Sequence, residues 1–228
     1  TISLGTAGSI CKYWDEPKIE EGGGIGWSAY VHEDSWVTEG VVSTAAASLR
    51  WLRDTMFPGE SYDLMNEEAE MAAKRASRLL FYPYLEGAGC PDYYEGAEGC
   101  FYGLSLASQR GDFALAVMEG IAFQIRIILE KMKAYEDVRT VVLFGGGARS
   151  PLWCQIIADV TGMKIRVPVT PEAAGAGAAI LAGIATGEFP RRDPPVLPCD
   201  KIYEPGIRQK ELQKKYAWYR EREYRLWR

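Results

Sequence analysis

Two glycine-bearing loops carry the residue types that could do chemistry. In the first, the apolar run Val141-Val142-Leu143-Phe144 leads into Gly145-Gly146-Gly147-Ala148-Arg149-Ser150-Pro151. Glycine has no Cβ and permits positive φ, so such a loop can lie close against a ring or a phosphate. Ser150 is placed to cap a helix whose first residue is Pro151. A plain strand-to-helix turn needs one glycine, and three in a row exceed that need. In the second loop, Ile2-Ser3-Leu4 runs into Gly5-Thr6-Ala7-Gly8-Ser9. Backbone amides at such a hairpin, with the Thr6 and Ser9 hydroxyls, suit anionic oxygens, although Gly-Thr-x-Gly is also a common structural turn. Neither loop has the spacing of a P-loop or of a Gly-x-Gly-x-x-Gly dinucleotide turn.

Other chemistries are excluded by what the chain contains. Its five cysteines, Cys11, Cys90, Cys100, Cys154 and Cys199, are scattered and never form a Cys-x-x-Cys pair, so they read as reduced thiols and not as a zinc site or disulfide frame. His32 is the single histidine and reads as a surface or turn residue, which leaves no basis for a catalytic triad or a multi-histidine metal site. A net charge of −5, with no basic stripe interleaved with aromatics, argues against nucleic acid as a partner. No apolar run reaches membrane-spanning length and the amino end has no signal-peptide pattern, so a cytoplasmic protein is expected.

The loops need elements to hold them, and the 228 residues read as one α/β domain. Residues 1–4, 9–14 and 27–31 read as an antiparallel meander. Residues 38–56 read as a helix with the stripe Val41, Val42, Ala45, Leu49, Leu52 and Met56, and 65–78 as a shorter one. Strands are expected over 79–84 and 100–104, separated by a long Pro/Gly-rich loop. Residues 112–135 read as a mostly buried helix with Asp112 as its N-cap, 140–144 as a strand, 151–160 as a helix and 163–167 as a strand. The small-residue helix 173–186, after Pro171-Glu172, could approach another helix or a ligand closely. A Pro-rich segment and a charged helix over 207–227 follow. The aromatics of that last helix, Tyr216, Trp218, Tyr219, Tyr224 and Trp227, are expected to pack on the body.

Together these segments resemble the FGGY family of carbohydrate kinases, in particular the C-terminal domain of its xylulokinase-like members. Gly99-Cys100-Phe101-Tyr102-Gly103-Leu104, then seven residues, Asp112-Phe113, two residues and Ala116-Val117-Met118-Glu119 fit the family's C-terminal signature. Ser3-Leu4-Gly5-Thr6-Ala7-Gly8 is similar to its phosphate turn, Ala47 to Asp54 to the helix near the phosphates, and Gly145 to Ala148 to its adenosine loop. The loop 86–94 departs from the family's usual pattern.

The resemblance implies a ribonuclease-H-like domain of the actin and hexokinase type, a mixed sheet flanked by helices, which closes with a second domain on ATP and Mg²⁺. Gly5, Thr6, Ala46 and Arg50 would lie at the phosphates, although the position of Ala46 is glycine in some relatives. Gly145, Gly146, Gly147 and Ser150 would hold the adenosine. The family's catalytic base is an aspartate just upstream of the Ser-Leu-Gly-Thr turn, so no catalytic residue and no metal ligand is expected within this chain, which would be inactive alone. Its partner would be its own N-terminal, sugar-binding domain, and a homodimer is also compatible. The acceptor would be a carbohydrate hydroxyl; Arg50-Trp51-Leu52-Arg53 favours a ketopentose such as xylulose over gluconate, glycerol or another polyol. The alternatives are a non-catalytic nucleotide-binding module of the same superfamily, or a structural domain whose glycine loops are only turns.

Overall fold

A computed structural model describes residues 1–17, 24–31, 34–132, 138–170, 172–191 and 193–227. The strands are β1 (Ile2–Leu4), β2 (Gly8–Trp14), β3 (Gly26–Ala29), β4 (Trp36–Val42), β5 (Leu80–Tyr82), β6 (Cys100–Tyr102), β7 (Thr140–Phe144), β8 (Lys164–Pro168) and β9 (Cys199–Tyr203). The helices are α1 (Ala46–Met56), α2 (Tyr62–Lys74), α3 (Arg110–Lys131), α4 (Pro151–Thr161), α5 (Ala173–Ala185) and α6 (Gln209–Trp227). Seven strands form one sheet in the order β3-β4-β2-β1-β7-β8-β9, and β5 pairs with β6 apart from it. In its centre β1, β7 and β8 run parallel while β2 is antiparallel to both β1 and β4. That is the mixed sheet of the ribonuclease-H-like fold, so this expectation holds. Among the described residues no helix is long and apolar enough to cross a membrane.

α3 organises the packing. It is buried along most of its length, mainly by apolar residues, as expected of a helix enclosed by protein, and lies against α1, α2, α4 and β5. Two of its glycines are required by close approach: a Cβ at Gly120 would stand 2.1 Å from the Phe81 carbonyl oxygen, and one at Gly111 2.4 Å from that of Glu68. The same helix carries buried polar groups that fasten α6. Glu119 is paired with Lys215 at 2.6 Å and with Arg208 at 2.7 Å. The Gln124 amide nitrogen lies within hydrogen-bonding distance of the Tyr84 and Tyr219 hydroxyls and of Glu223, its two N–H groups shared among the three acceptors. Burial pushes the Glu223 carboxyl above its ordinary value, against the opposing pull of the Arg220 guanidinium.

Several elements differ from the sequence reading. Residues 38–42 belong to β4 and not to the helix, which starts at Ala46. Thr38, Gly40 and Val42 alternate as buried residues with Val37, Glu39 and Val41, a period of two that the apolar pair Val41-Val42 disguises. Asp112 is not the N-cap of α3. It is the third helical residue, and its carboxylate accepts from the N–H of the N-cap Gln109 at 2.7 Å. β9 has no counterpart in the sequence reading. In α6, Tyr216 and Tyr219 are buried and Trp218 and Trp227 pack on the core, whereas Tyr224 is exposed. His32, Pro171 and the expected end of the long helix at 133–135 lie outside the described residues.

Candidate functional site

The loop after β7 is held by the strand beside it. Gly145 has φ of 91°, and a Cβ there would stand 2.9 Å from the Leu4 carbonyl oxygen. A Cβ at Gly147 would stand 2.5 Å from the Leu4 side chain and 3.1 Å from Trp153. Gly146 differs: nothing lies within 4 Å of a Cβ placed on it. Two of the three glycines therefore let the loop press onto β1, and the middle one opens onto space. Gly146–Arg149 form a single 3₁₀ turn, and α4 then begins with Pro151 at its first position. The Ser150 hydroxyl caps α4 by accepting from the Trp153 N–H at 3.2 Å, as expected, and donates to Asn66 Oδ1 at 3.0 Å. That second bond ties the loop to α2.

The turn after β1 is fastened to α1 through its carbonyls. The Ala46 N–H donates to Gly5 O at 2.9 Å, and the N–H groups of Ala45 and Ala47 donate to Thr6 O at 2.9 and 3.2 Å. These bonds occupy helix-start donors for which α1 has no side-chain cap, because Ala45 stands at the N-cap. Thr6 is exposed at the tip of the turn.

Between the glycine loop, α1 and α2 lies a cavity of about 480 Å³. Ala46 and Leu49 form one wall, Tyr62, Asp63 and Asn66 a second, and Gly146, Gly147, Arg149, Ser150 and Trp153 the third. This volume suits a nucleoside-sized ligand. The lining is mostly apolar, with a few convergent polar groups. Leu49 supplies aliphatic contact and the Tyr62 and Trp153 rings flat contact, while Asn66, Asp63 and Ser150 supply hydrogen-bonding atoms. Trp153 is fixed by its indole N–H, which donates to Met118 O at 3.0 Å.

Of the eight residues singled out in the sequence, Ala46, Gly146, Gly147 and Ser150 line this cavity. Gly5 and Thr6 do not line it; they are bonded to the start of α1, whose first residue Ala46 does. Gly145 faces the other side of the loop, into a smaller cavity of about 230 Å³ toward Val167 and Lys201. Arg50 is exposed on α1 and lines neither cavity. The α2 wall was missed by sequence reasoning, which began this helix at residue 65 and so left Tyr62 and Asp63 outside it and Asn66 as an ordinary helical residue, whereas α2 runs over Tyr62–Lys74. The one available signal was Ser61, whose side chain caps that helix.

An adenine nucleotide fits this arrangement on one structural ground above others: the open space at Gly146 is a cradle that any side chain would fill. Among the described residues no group of three or more His, Cys, Asp or Glu side chains is placed to hold a metal ion. Behind the loop the Cys154 thiol, pushed up to about 12 by burial, is held as an inert group near Ala148 O.

Comparison with known proteins decides the family. The family model for the C-terminal domain of the FGGY family of carbohydrate kinases matches residues 1–186. The chain belongs to the FGGY family. It is 33% identical over 188 residues to the xylulose kinase of Bacillus subtilis (strain 168), covering 82% of this chain and 38% of that protein. To the glycerol kinase of Gloeobacter violaceus it is 34% identical over 203 residues, covering 86% of this chain and 40% of that one. Among solved structures, the gluconate kinase of Lactobacillus acidophilus superposes with a TM-score of 0.87 at 25% identity, over 99% of this chain and 46% of that chain. This FGGY chain thus spans less than half the length of these relatives, 38% to 46%.

Proposed function

We propose that this chain is the nucleotide-binding part of an ATP-dependent carbohydrate kinase. The observation that supports the reading best is the cavity in which a glycine loop, a capped helix start and a turn-anchored helix converge around Gly146. In this reading the adenosine lies over Gly146 and Gly147, with Leu49 against its apolar surface and Ser150 and Asn66 on its polar edge. Gly5 and Thr6 lie toward the phosphates, where backbone N–H and hydroxyl donors stabilise the charge that redistributes as the γ-phosphoryl group leaves. ATP supplies the phosphoryl group; the attacking nucleophile is a sugar hydroxyl, whose proton needs an acceptor. No residue of this chain is assigned that role. The base, most sugar contacts and the groups that hold Mg²⁺ are assigned to an N-terminal domain of a longer protein, with residues 1–228 as one C-terminal domain.

The xylulose, glycerol and gluconate kinases among the relatives support a sugar or polyol acceptor. The Arg50-Trp51-Leu52-Arg53 helix favours a ketopentose, and a cytoplasmic location is part of the same proposal. Titration calorimetry with ATP tests the binding step directly. The chain should bind weakly, because half of a cleft supplies half of the contacts. Gly146→Val should lower the affinity by about 10-fold or more while the variant stays folded, since its side chain enters the space the ligand needs and the backbone there is not strained. Undiminished affinity in the folded variant would overturn the assignment of the cavity.

A further inference from the structure

The α2 wall of the larger cavity carries two polar groups that the rest of the chain leaves unused. Asn66 accepts at Oδ1 from the Ser150 hydroxyl at 3.0 Å, and among the described residues its Nδ2 meets no acceptor. The Asp63 carboxylate likewise meets no donor among them. Both residues line the cavity. They stand three apart on one helix, which puts their Cβ atoms about 5–6 Å apart on one face, a span that neighbouring polar atoms of a single base edge can bridge.

The direction of the Asn66 amide is set from outside α2. Ser150 Oγ accepts the Trp153 N–H at 3.2 Å as the cap of α4, and its own proton goes to Asn66 Oδ1. Turning the amide over would bring an N–H group against Ser150 and take the acceptor away from that proton. Oδ1 is therefore committed to the loop, and the two Nδ2 protons are what Asn66 offers a ligand. The wall presents a fixed donor at Asn66 and, three residues earlier, an acceptor-only carboxylate at Asp63.

We propose that Asn66 and Asp63 select the base of the nucleotide, taking 6-aminopurines and turning away 6-oxopurines, with Ser150 as the positioning residue behind Asn66. The edge of adenine carries an amino donor with ring-nitrogen acceptors on either side of it. Against the α2 wall the amino group pairs with the Asp63 carboxylate and a ring nitrogen with the Asn66 N–H. A 6-oxopurine carries an oxygen in place of the amino group and an N–H in place of one acceptor. It turns that oxygen toward a carboxylate and that N–H toward a donor, and polar groups left unpaired in a bound edge are costly. Arg149, the other charged group on the lining, belongs to the loop wall and not to α2. The proposal rests on reading this cavity as the nucleotide site.

The test is calorimetric titration of the chain with ATP and with inosine triphosphate, which share ribose and triphosphate and differ only in the base. The unsubstituted chain should bind ATP about 10-fold or more tightly than inosine triphosphate. Asn66→Asp keeps an acceptor for the Ser150 proton and removes the donor, so it should lower that preference by about 10-fold or more. Its added charge acts alike on the two triphosphates and cancels in the ratio. Asp63→Asn, at an exposed position where the new amide can turn either way, should lower the preference while the circular dichroism spectrum stays unchanged. Equal binding of the two nucleotides by the unsubstituted chain, or a ratio that either variant leaves unchanged, overturns the proposal. Tighter binding of inosine triphosphate than of ATP would assign the base edge to Arg149 and overturn it too. In each of these cases weakening of ATP by Gly146→Val keeps the nucleotide reading of the cavity standing, whereas binding of neither nucleotide overturns that reading and this proposal with it.

Discussion

α3 and α5 are two apolar helices in opposite surroundings: 17 of the 22 residues of α3 are buried, while α5, which carries no polar side chain, has no buried residue at all. Composition predicts that both avoid water. Place in the fold decides which of them succeeds. α3 is enclosed by α1, α2, α4 and β5, whereas α5 follows β8 at the margin of the molecule and makes no comparably extensive contact with another element. Their glycines report the same contrast. Gly111 and Gly120 are where backbones meet α3; in α5 a Cβ on Gly175 or Gly177 would meet nothing within 4 Å, and Gly183 meets only the Phe189 ring that follows the helix, at 2.4 Å. The sequence expectation that the small residues of α5 permit close approach of a helix or ligand finds no partner for Gly175 or Gly177 among the described residues.

Substitutions can sharpen or break this contrast. The largest effect is expected from Glu119→Gln in α3, which leaves the buried Lys215 ammonium without its countercharge. Removing one partner of such a pair costs about 3–5 kcal/mol. Urea unfolding should show that loss, and one below about 1 kcal/mol would mean that the Lys215 side of α3 is open to water. Gly120→Ala is expected to cost about 1–3 kcal/mol by forcing α3 and β5 apart. The same exchange in α5, Gly177→Ala, should stabilise by about 0.5–1 kcal/mol, because it removes backbone freedom without meeting anything. Scanning calorimetry distinguishes the two signs. If Gly177→Ala destabilised the protein, α5 would be closely packed in solution and the contrast would fail.

How much was legible in the sequence follows the same division between local pattern and distant contact. The 151–160 helix and the 140–144 strand were readable because Ser150, Pro151 and the run of β-formers are local signals. β4 was misread since its β-branched residues adjoin the stripe of α1. What makes it a strand is its pairing with β2 and β3, and Gly40, where a Cβ would stand 2.4 Å from Ile128 of α3, lets that strand lie close under the helix; no local window contains either contact. In the candidate site, Gly146, Gly147 and Ser150 were readable as loop and cap residues, whereas Ala46 was named through the family resemblance alone and sat inside a helix read over 38–56. Asn66 was not readable, because its role arises only where α2 passes Ser150. Gly145 was legible as necessary but not for its reason, which is the Leu4 backbone beside it.

The borrowed cap of α1 bears on how this region can change over time. Most helices depend on the identity of one polar side chain at their start, so drift at that position is constrained. Here the helix start depends on the path of another segment, the carbonyls of Gly5 and Thr6. Residues 45–47 are therefore released from supplying a cap, and the constraint passes to positions that shape the turn. Gly8 is one of these, since a Cβ there would press on that of Ala45 at 3.2 Å. A lineage could vary the amino acids at the head of α1 while keeping the helix, yet lose it through a change in a hairpin far earlier in the chain.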